Sequence, residues 1–195
     1  ESSGTHNTGI AYIINKLLVD IGIKTPPQVS NSQVRTTVYG FPICVFHKDT
    51  ESSTLKFWGK YNFNNDKSTQ ETFGFSGNDE CWEFLNNNTN NVVFKTSDYD
   101  SVDSSNNYIW LSDFEARYIG DSTLETAFAS GTKPTNLKRV TDWIASTNGD
   151  SSKFKNEVSH YFVLDNLLAY YVLTELFGMT DQRAKNMFLT SWGNE

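Results

Sequence analysis

The run from Phe162 to Phe177 is apolar at most positions, and it constrains the fold more than any other part of the chain. Asp165 and Asn166 interrupt it, so it is too short and too polar to span a bilayer. The segment from about Lys153 to Gly178 reads as one long helix. It turns apolar all round after Tyr161, as a central helix packed on every side does. A strand-like Met187-Phe188-Leu189 follows. Between helix and strand lies Asp181-Gln182-Arg183-Ala184-Lys185-Asn186.

The rest of the chain has the material to build a core around such a helix. It has 195 residues, with 14 Phe, 9 Tyr and 5 Trp, which suits one domain or one large piece of a domain and excludes a disordered tail. The net charge of -7 and the absence of any polybasic run exclude a protein that grips a nucleic-acid backbone. No signal peptide is visible, and no segment suits membrane insertion. The two cysteines, Cys44 and Cys81, sit in strand-like apolar surroundings and read as reduced core thiols rather than as a secreted disulfide framework. His6, His47 and His160 are scattered and lack zinc spacing.

Periodicity supplies the other elements. Ile10, Ile13, Ile14, Leu17, Leu18 and Ile21 recur at three and four, which predicts a helix over His6 to Ile23. Lys24-Thr25-Pro26-Pro27 forbids its continuation. Val38 to Pro42 reads as a turn, with Gly40 and Pro42 punctuating a hairpin, and Ile43 to Phe46 as a strand. Leu55 to Asn64 reads as a strand. Cys81 to Leu85 and Val92 to Lys95 read as a hairpin joined by the Asn-rich tract 86–91. Leu137 to Ser146 predicts an amphipathic helix using Leu137, Val140, Trp143 and Ile144. No repeat and no linker divides the chain. The expected fold is α+β: an antiparallel sheet with packed helices, in a single domain over 1–195.

An acid and an amide separated by four residues, on a loop between a buried helix and a strand, have the layout of a kinase catalytic loop. There the acid accepts the proton of the attacking hydroxyl, and the Asn oxygen holds a metal ion on the phosphates. On that pattern Asp181 is the candidate base, Asn186 the candidate metal ligand, and Lys185 the candidate phosphate contact. The plain structural alternatives are a turn-capping Asp, a loop amide and a solvated Lys.

The run Leu164 to Asn186 resembles the CotH family of atypical, spore-coat-type kinases. Ser2-Ser3-Gly4-Thr5-His6-Asn7-Thr8-Gly9 is similar to the family's opening of the first helix, with His6 where the family has Arg. Gly59-Lys60-Tyr61-Asn62-Phe63-Asn64 is similar to its Gly-x-Tyr strand. Nearer still are bacteriophage virion proteins with an embedded CotH-like domain. They share the character of Lys60 to Ser68, of Phe114-Glu115-Ala116-Arg117-Tyr118, and of Asp181 to Asn186. The family's nucleotide-anchoring Lys lies upstream of the Ser-Ser segment, and its second metal-binding Asp lies beyond the final strand. The resemblance therefore implies the middle part of a longer domain, incomplete at both ends.

That resemblance implies a virion structural protein, a tail or tail-knob component, without cofactor or catalysis. Its partners would be other virion proteins and flanking segments of the same polypeptide, a homo-oligomer included. The alternative is an active kinase that uses ATP and Mg²⁺ to phosphorylate protein Ser or Thr, in the bacterial cytoplasm or spore coat. A further alternative is a carbohydrate-binding module that stacks Trp58, Trp82 or Trp110 on sugars.

Overall fold

The computed structural model describes residues 6–84, 114–122, 135–179 and 187–193. The fold is α+β, with small antiparallel sheets and helices. The chain divides into two compact units, Glu1–Gly74 and Phe75–Glu195.

The first unit opens with helix α1 (His6–Asp20), whose inward positions include Ile14 and Asn15. Helix α1 ends at Asp20, where Gly22 turns left-handed (φ 82°) and the Ile23 N–H reaches back to the Leu18 carbonyl (2.8 Å); Pro26 and Pro27 lie beyond that end and start a short helix, α2 (Pro26–Ser30). Proline suits a first helical turn because its missing N–H has no intrahelical partner there. The Thr25 N–H donates to Gln28 Oε1 (3.0 Å), and Gln28 Nε2 donates to the Val34 carbonyl (3.0 Å), which anchors α2 to the following loop.

Strands β1 (Gly40–His47) and β2 (Lys56–Asn64) form an antiparallel ribbon. The expected turn at Val38 to Pro42 is therefore misplaced: Gly40 and Pro42 lie inside β1, opposite Asn64 and Asn62. A two-stranded ribbon uses only half of each strand's N–H groups, so a proline is tolerated. The connection is the polar stretch 48–55, where Thr50 and Ser53 are hydrogen bonded. Trp58 is an extra residue in β2: Val45 pairs with Gly59 and Phe46 with Phe57, which leaves Trp58 unopposed. Helix α3 (Gln70–Phe73) closes the unit with Phe73 buried, and the Arg35 N–H donates to the Thr72 carbonyl (2.8 Å).

The second unit is built on strand β3 (Glu80–Phe84), the centre of a three-stranded antiparallel sheet. Its neighbours are β4 (Phe114–Ile119) and β5 (Phe188–Ser191). Every β3 residue is buried, so both faces of the sheet are covered at this strand. One face carries the core of Trp82, Phe84, Phe114 and Leu137, with Ala116, Ile119, Met187 and Leu189 packed against it. Each large side chain buried in this way contributes about 2 kcal/mol. Pairing β3 with β4 corrects the expected hairpin of 81–85 with 92–95, of which residues 92–95 lie outside the described residues.

One end of the sheet is tied by Asp79. Its carboxylate accepts from the Ser76 N–H (2.8 Å) and the Gly193 N–H (2.6 Å), and its carbonyl accepts from Gly120 (3.0 Å). Phe75 stacks on Tyr118 and on Trp192, with ring centroids 5.2 and 5.5 Å apart. Gly120 is required here, because a β-carbon at that position would run into the Gly77 carbonyl.

Helix α4 (Thr135–Ser146) matches the amphipathic pattern, with Leu137, Thr141 and Trp143 inward. The long helix expected from Lys153 to Gly178 is broken into α5 (Ser151–Glu157), a 3-10 turn (Val158–His160) and α6 (Leu164–Leu176). The break has an aromatic cause. Tyr161 stacks on Trp143 at 4.5 Å, Phe162 lies against the same ring, and Trp143 Nε1 donates to Glu157 (2.9 Å). Helix α6 is not buried all round, as the apolar run suggests. Leu173 and Thr174 are inside, while Leu164, Leu168, Tyr171, Val172 and Leu176 form an exposed stripe at helical spacing.

Candidate functional site

Asp181, Lys185 and Asn186 lie outside the described residues, but the elements on either side of them are well defined. Helix α6 stops at Gly178, whose left-handed conformation (φ 62°) only glycine adopts at no cost. The Gly178 N–H donates to Glu175 (3.1 Å) and the Met179 N–H reaches back to Thr174 (2.8 Å), which seals the helix end. On the other side, Met187 accepts from the Phe84 N–H (3.0 Å) and Phe188 pairs with Glu83, so β5 begins where the sequence predicts a strand. The stretch 180–186 therefore joins a capped helix to the sheet beside Glu83 and Phe84.

That part of the sheet carries two buried acids. Glu80 and Glu83 are 0% and 1% exposed, and their odd separation along a strand sends them to opposite faces. On the core face, Glu80 Oε2 accepts from Trp82 Nε1 (3.1 Å) and Oε1 from Asn136 Nδ2 (3.0 Å). Burial pushes the Glu80 carboxyl above its ordinary range, and nearby Asp121 pushes the same way. The Trp82 and Asn136 hydrogen bonds pull it back. On the opposite face, Glu83 receives the Arg117 guanidinium, with Arg117 Nε to Glu83 Oε2 at 2.5 Å. Arg117 also reaches the more exposed Glu115 (2.7 Å). Arg117 is the unopposed residue of a bulge in β4, between Ala116 opposite Trp82 and Tyr118 opposite Cys81. Cys81 shares this face. Its thiol, buried and 3.6 Å from Thr190 Oγ1, is pushed up to about 12, mainly by burial.

The readable signal for this network is an acid placed twice in the strand Glu80-Cys81-Trp82-Glu83-Phe84. A buried carboxylate must be neutral or find donors. In the sequence, Phe114 to Tyr118 stands out only within the resemblance, and nothing there singles out Arg117 as the cation that meets Glu83. Cys81 is buried as expected. Cys44, on the two-stranded ribbon, is exposed, which corrects the expected core thiol.

Of the tryptophans proposed to stack on sugars, Trp82 is 2% exposed and belongs to the core, Trp110 lies outside the described residues, and Trp58 is 62% exposed. Trp58 stands edge-to-face with His47 at 4.6 Å. Other exposed rings lie on both faces of the ribbon, since Phe41 and Phe46 stand five residues apart along β1. Phe41 and Phe63 pack across the strands at 5.6 Å and Phe46 and Phe57 at 5.5 Å, and all four remain exposed.

Among the described residues no group of acidic, His or Cys side chains is arranged to hold a metal ion. No helix among them is long and apolar enough to cross a membrane. No family model matches the chain, and neither a curated protein nor a solved structure matches it.

Proposed function

We propose that this chain is a structural module of a larger assembly, in the setting that its sequence resembles: a tail or tail-knob component of a phage particle. The observation that supports it most is the set of exposed aromatic rings on the two faces of the β1–β2 ribbon. Phe41, Phe46, Phe57, Trp58, Tyr61 and Phe63 all face solvent. A two-stranded ribbon cannot bury such side chains by itself. Clustered exposed aromatics are the composition of a protein interface, and their burial against a permanent neighbour supplies the affinity. The neighbours in this reading are other virion proteins, flanking parts of the same polypeptide, or further copies of the chain.

The test is made in the assembled particle. A photo-cross-linking amino acid placed at Trp58 forms adducts with a neighbouring chain in purified virions, whereas the same group at exposed, polar Lys16 does not. Absence of the chain from purified particles, or equal yields at both positions, rejects the reading.

The kinase reading draws support from one feature, the passage from the sealed end of α6 to β5 across 180–186. It assigns the base to Asp181, a Mg²⁺ ligand to Asn186 and a phosphate contact to Lys185. Transfer of the γ-phosphoryl of labelled ATP onto Ser or Thr, measured with Asp181→Asn as the control, decides it. Transfer no greater than the variant's removes it.

A further inference from the structure

The two faces of the β1–β2 ribbon differ in chemistry. Side chains alternate along a strand, so Phe41, Ile43 and Val45 share one face with their cross-strand partners Phe63, Tyr61 and Gly59. These six residues carry no charge, and Phe41, Tyr61 and Phe63 are 50, 44 and 62% exposed. Gly59 keeps the face level, because the Tyr61 ring lies over it, 3.0 Å from where a β-carbon would stand. Over the same length the opposite face is polar, with Cys44 paired to Lys60 and Pro42 to Asn62. Beyond the bulge the ladder ends in His47 and Lys56, and Asp49 neutralises Lys56.

An uncharged face has a particular meaning in a chain of net charge -7. In a contact about a two-fold axis each patch meets itself, so any charge on it would meet its like. A charge-free patch is the kind that can meet its own copy, and it gives a partner of opposite charge nothing to read. Shape points the same way. An apolar sheet face is covered by a second layer about 10 Å away whose strands run within about 30° of its own, an angle set by the twist of both layers. A ribbon of the same sequence has the same length and the same twist.

We infer that this face is the contact of a homodimer, two ribbons packed face to face about a two-fold axis at the Ile43–Tyr61 pair. The inference rests on reading the ribbon as an interface, and it names the partner as a second copy of the chain. Each half-exposed ring contributes about 100 Å². With Ile43 and Val45 the face supplies roughly 400 Å² per copy, the low end for specific contacts. The dimer is therefore weak in solution, with a dissociation constant on the order of 0.1 mM.

Sedimentation equilibrium of the chain, at concentrations up to ~1 mM, tests it. A monomer–dimer equilibrium that saturates at the dimer is expected. Tyr61→Lys and Tyr61→Glu each set like charges across the axis and should weaken dimerisation by about tenfold or more. An equimolar mixture of the two should restore it. Phe63→Ala, which trims an exposed ring and adds no charge, should weaken it several-fold whatever the Tyr61 variants do to the fold. Lys60→Glu, on the other face, should leave it unchanged. A chain that stays monomeric, growth beyond the dimer, a dimer indifferent to Phe63→Ala and to both Tyr61 variants, or one lost on Lys60→Glu overturns the inference. A monomeric chain whose position 58 cross-links to a different protein in virions gives the face to that protein and leaves the structural-module reading standing. A dimer of a chain that is absent from particles does the reverse.

Discussion

Arg117 is the surplus residue of a bulge in β4, and that surplus delivers its guanidinium to Glu83, a carboxylate with almost no contact with solvent. Without the bulge, the strand would offer no additional side chain at this point. The irregularity is thus the means by which the sheet tolerates a charge in its central strand. Replacing Arg117 with Leu withdraws the guanidinium from the buried Glu83 carboxylate, and is expected to cost about 3 kcal/mol. Chemical denaturation measures it. The double variant Glu83→Leu with Arg117→Leu should recover most of the loss, since an apolar pair of similar volume can replace a buried ion pair.

Glu80 predicts a pH dependence of unusual sign. Its folded-state affinity for a proton is raised, chiefly by burial. The folded chain then holds a proton that the unfolded chain has already released. The associated stability is complete below the ordinary Glu range and is lost as pH rises through the raised folded value. Glu80→Gln removes this dependence. Asn136 can turn its amide to accept from the new NH₂, so both hydrogen bonds survive. Thermal melts of both proteins from acid to neutral pH should converge at low pH and diverge above it, with the variant the more stable. Parallel profiles would contradict the assignment.

The two thiols should differ sharply. Cys44 is exposed, whereas Cys81 is buried with its thiol pushed up to about 12. The thiolate is the reactive form, so a disulfide reagent at mildly alkaline pH should modify Cys44 alone in the folded protein and both residues in denaturant. Modification of Cys81 at the rate of Cys44 would mean that β3 is not covered.

Gly120→Ala should be disproportionately costly for a single methyl group. The new β-carbon would collide with the Gly77 carbonyl, and the Gly120 N–H would be pulled from Asp79. A loss of about 2 kcal/mol or more is expected, typical of a backbone displaced from a tight contact. Asp79→Ala, which releases Ser76 and Gly193, should cost a similar amount, and a denaturant titration compares the two.

These residues also show what a sequence can and cannot disclose. Local signals were legible: α1, the strand from Lys56 to Asn64, the amphipathic Thr135–Ser146 helix, and the strand after residue 186 all follow from period and composition. What failed depended on distant partners. The helix expected after Lys153 breaks because Tyr161 finds Trp143 across a turn, which helical periodicity does not encode. Gly40 and Pro42 carry strong turn character, yet pairing with β2 draws them into a strand. At the candidate site, the helix end and the strand start were readable as local chemistry. The Glu83–Arg117 bond was not, since it joins residues far apart in sequence through a bulge that leaves no simple pattern.

The ribbon has a further consequence for growth. Two strands alone leave main-chain groups unsatisfied on both outer margins, an invitation to add strand after strand without end. Pro42 withholds an N–H from such stacking, and the kink at Trp58 twists the ladder out of line. In the proposed assembly, neighbours would thereby meet the rings rather than the backbone, and association through this ribbon would stop at a fixed number of chains instead of running on into a fibre.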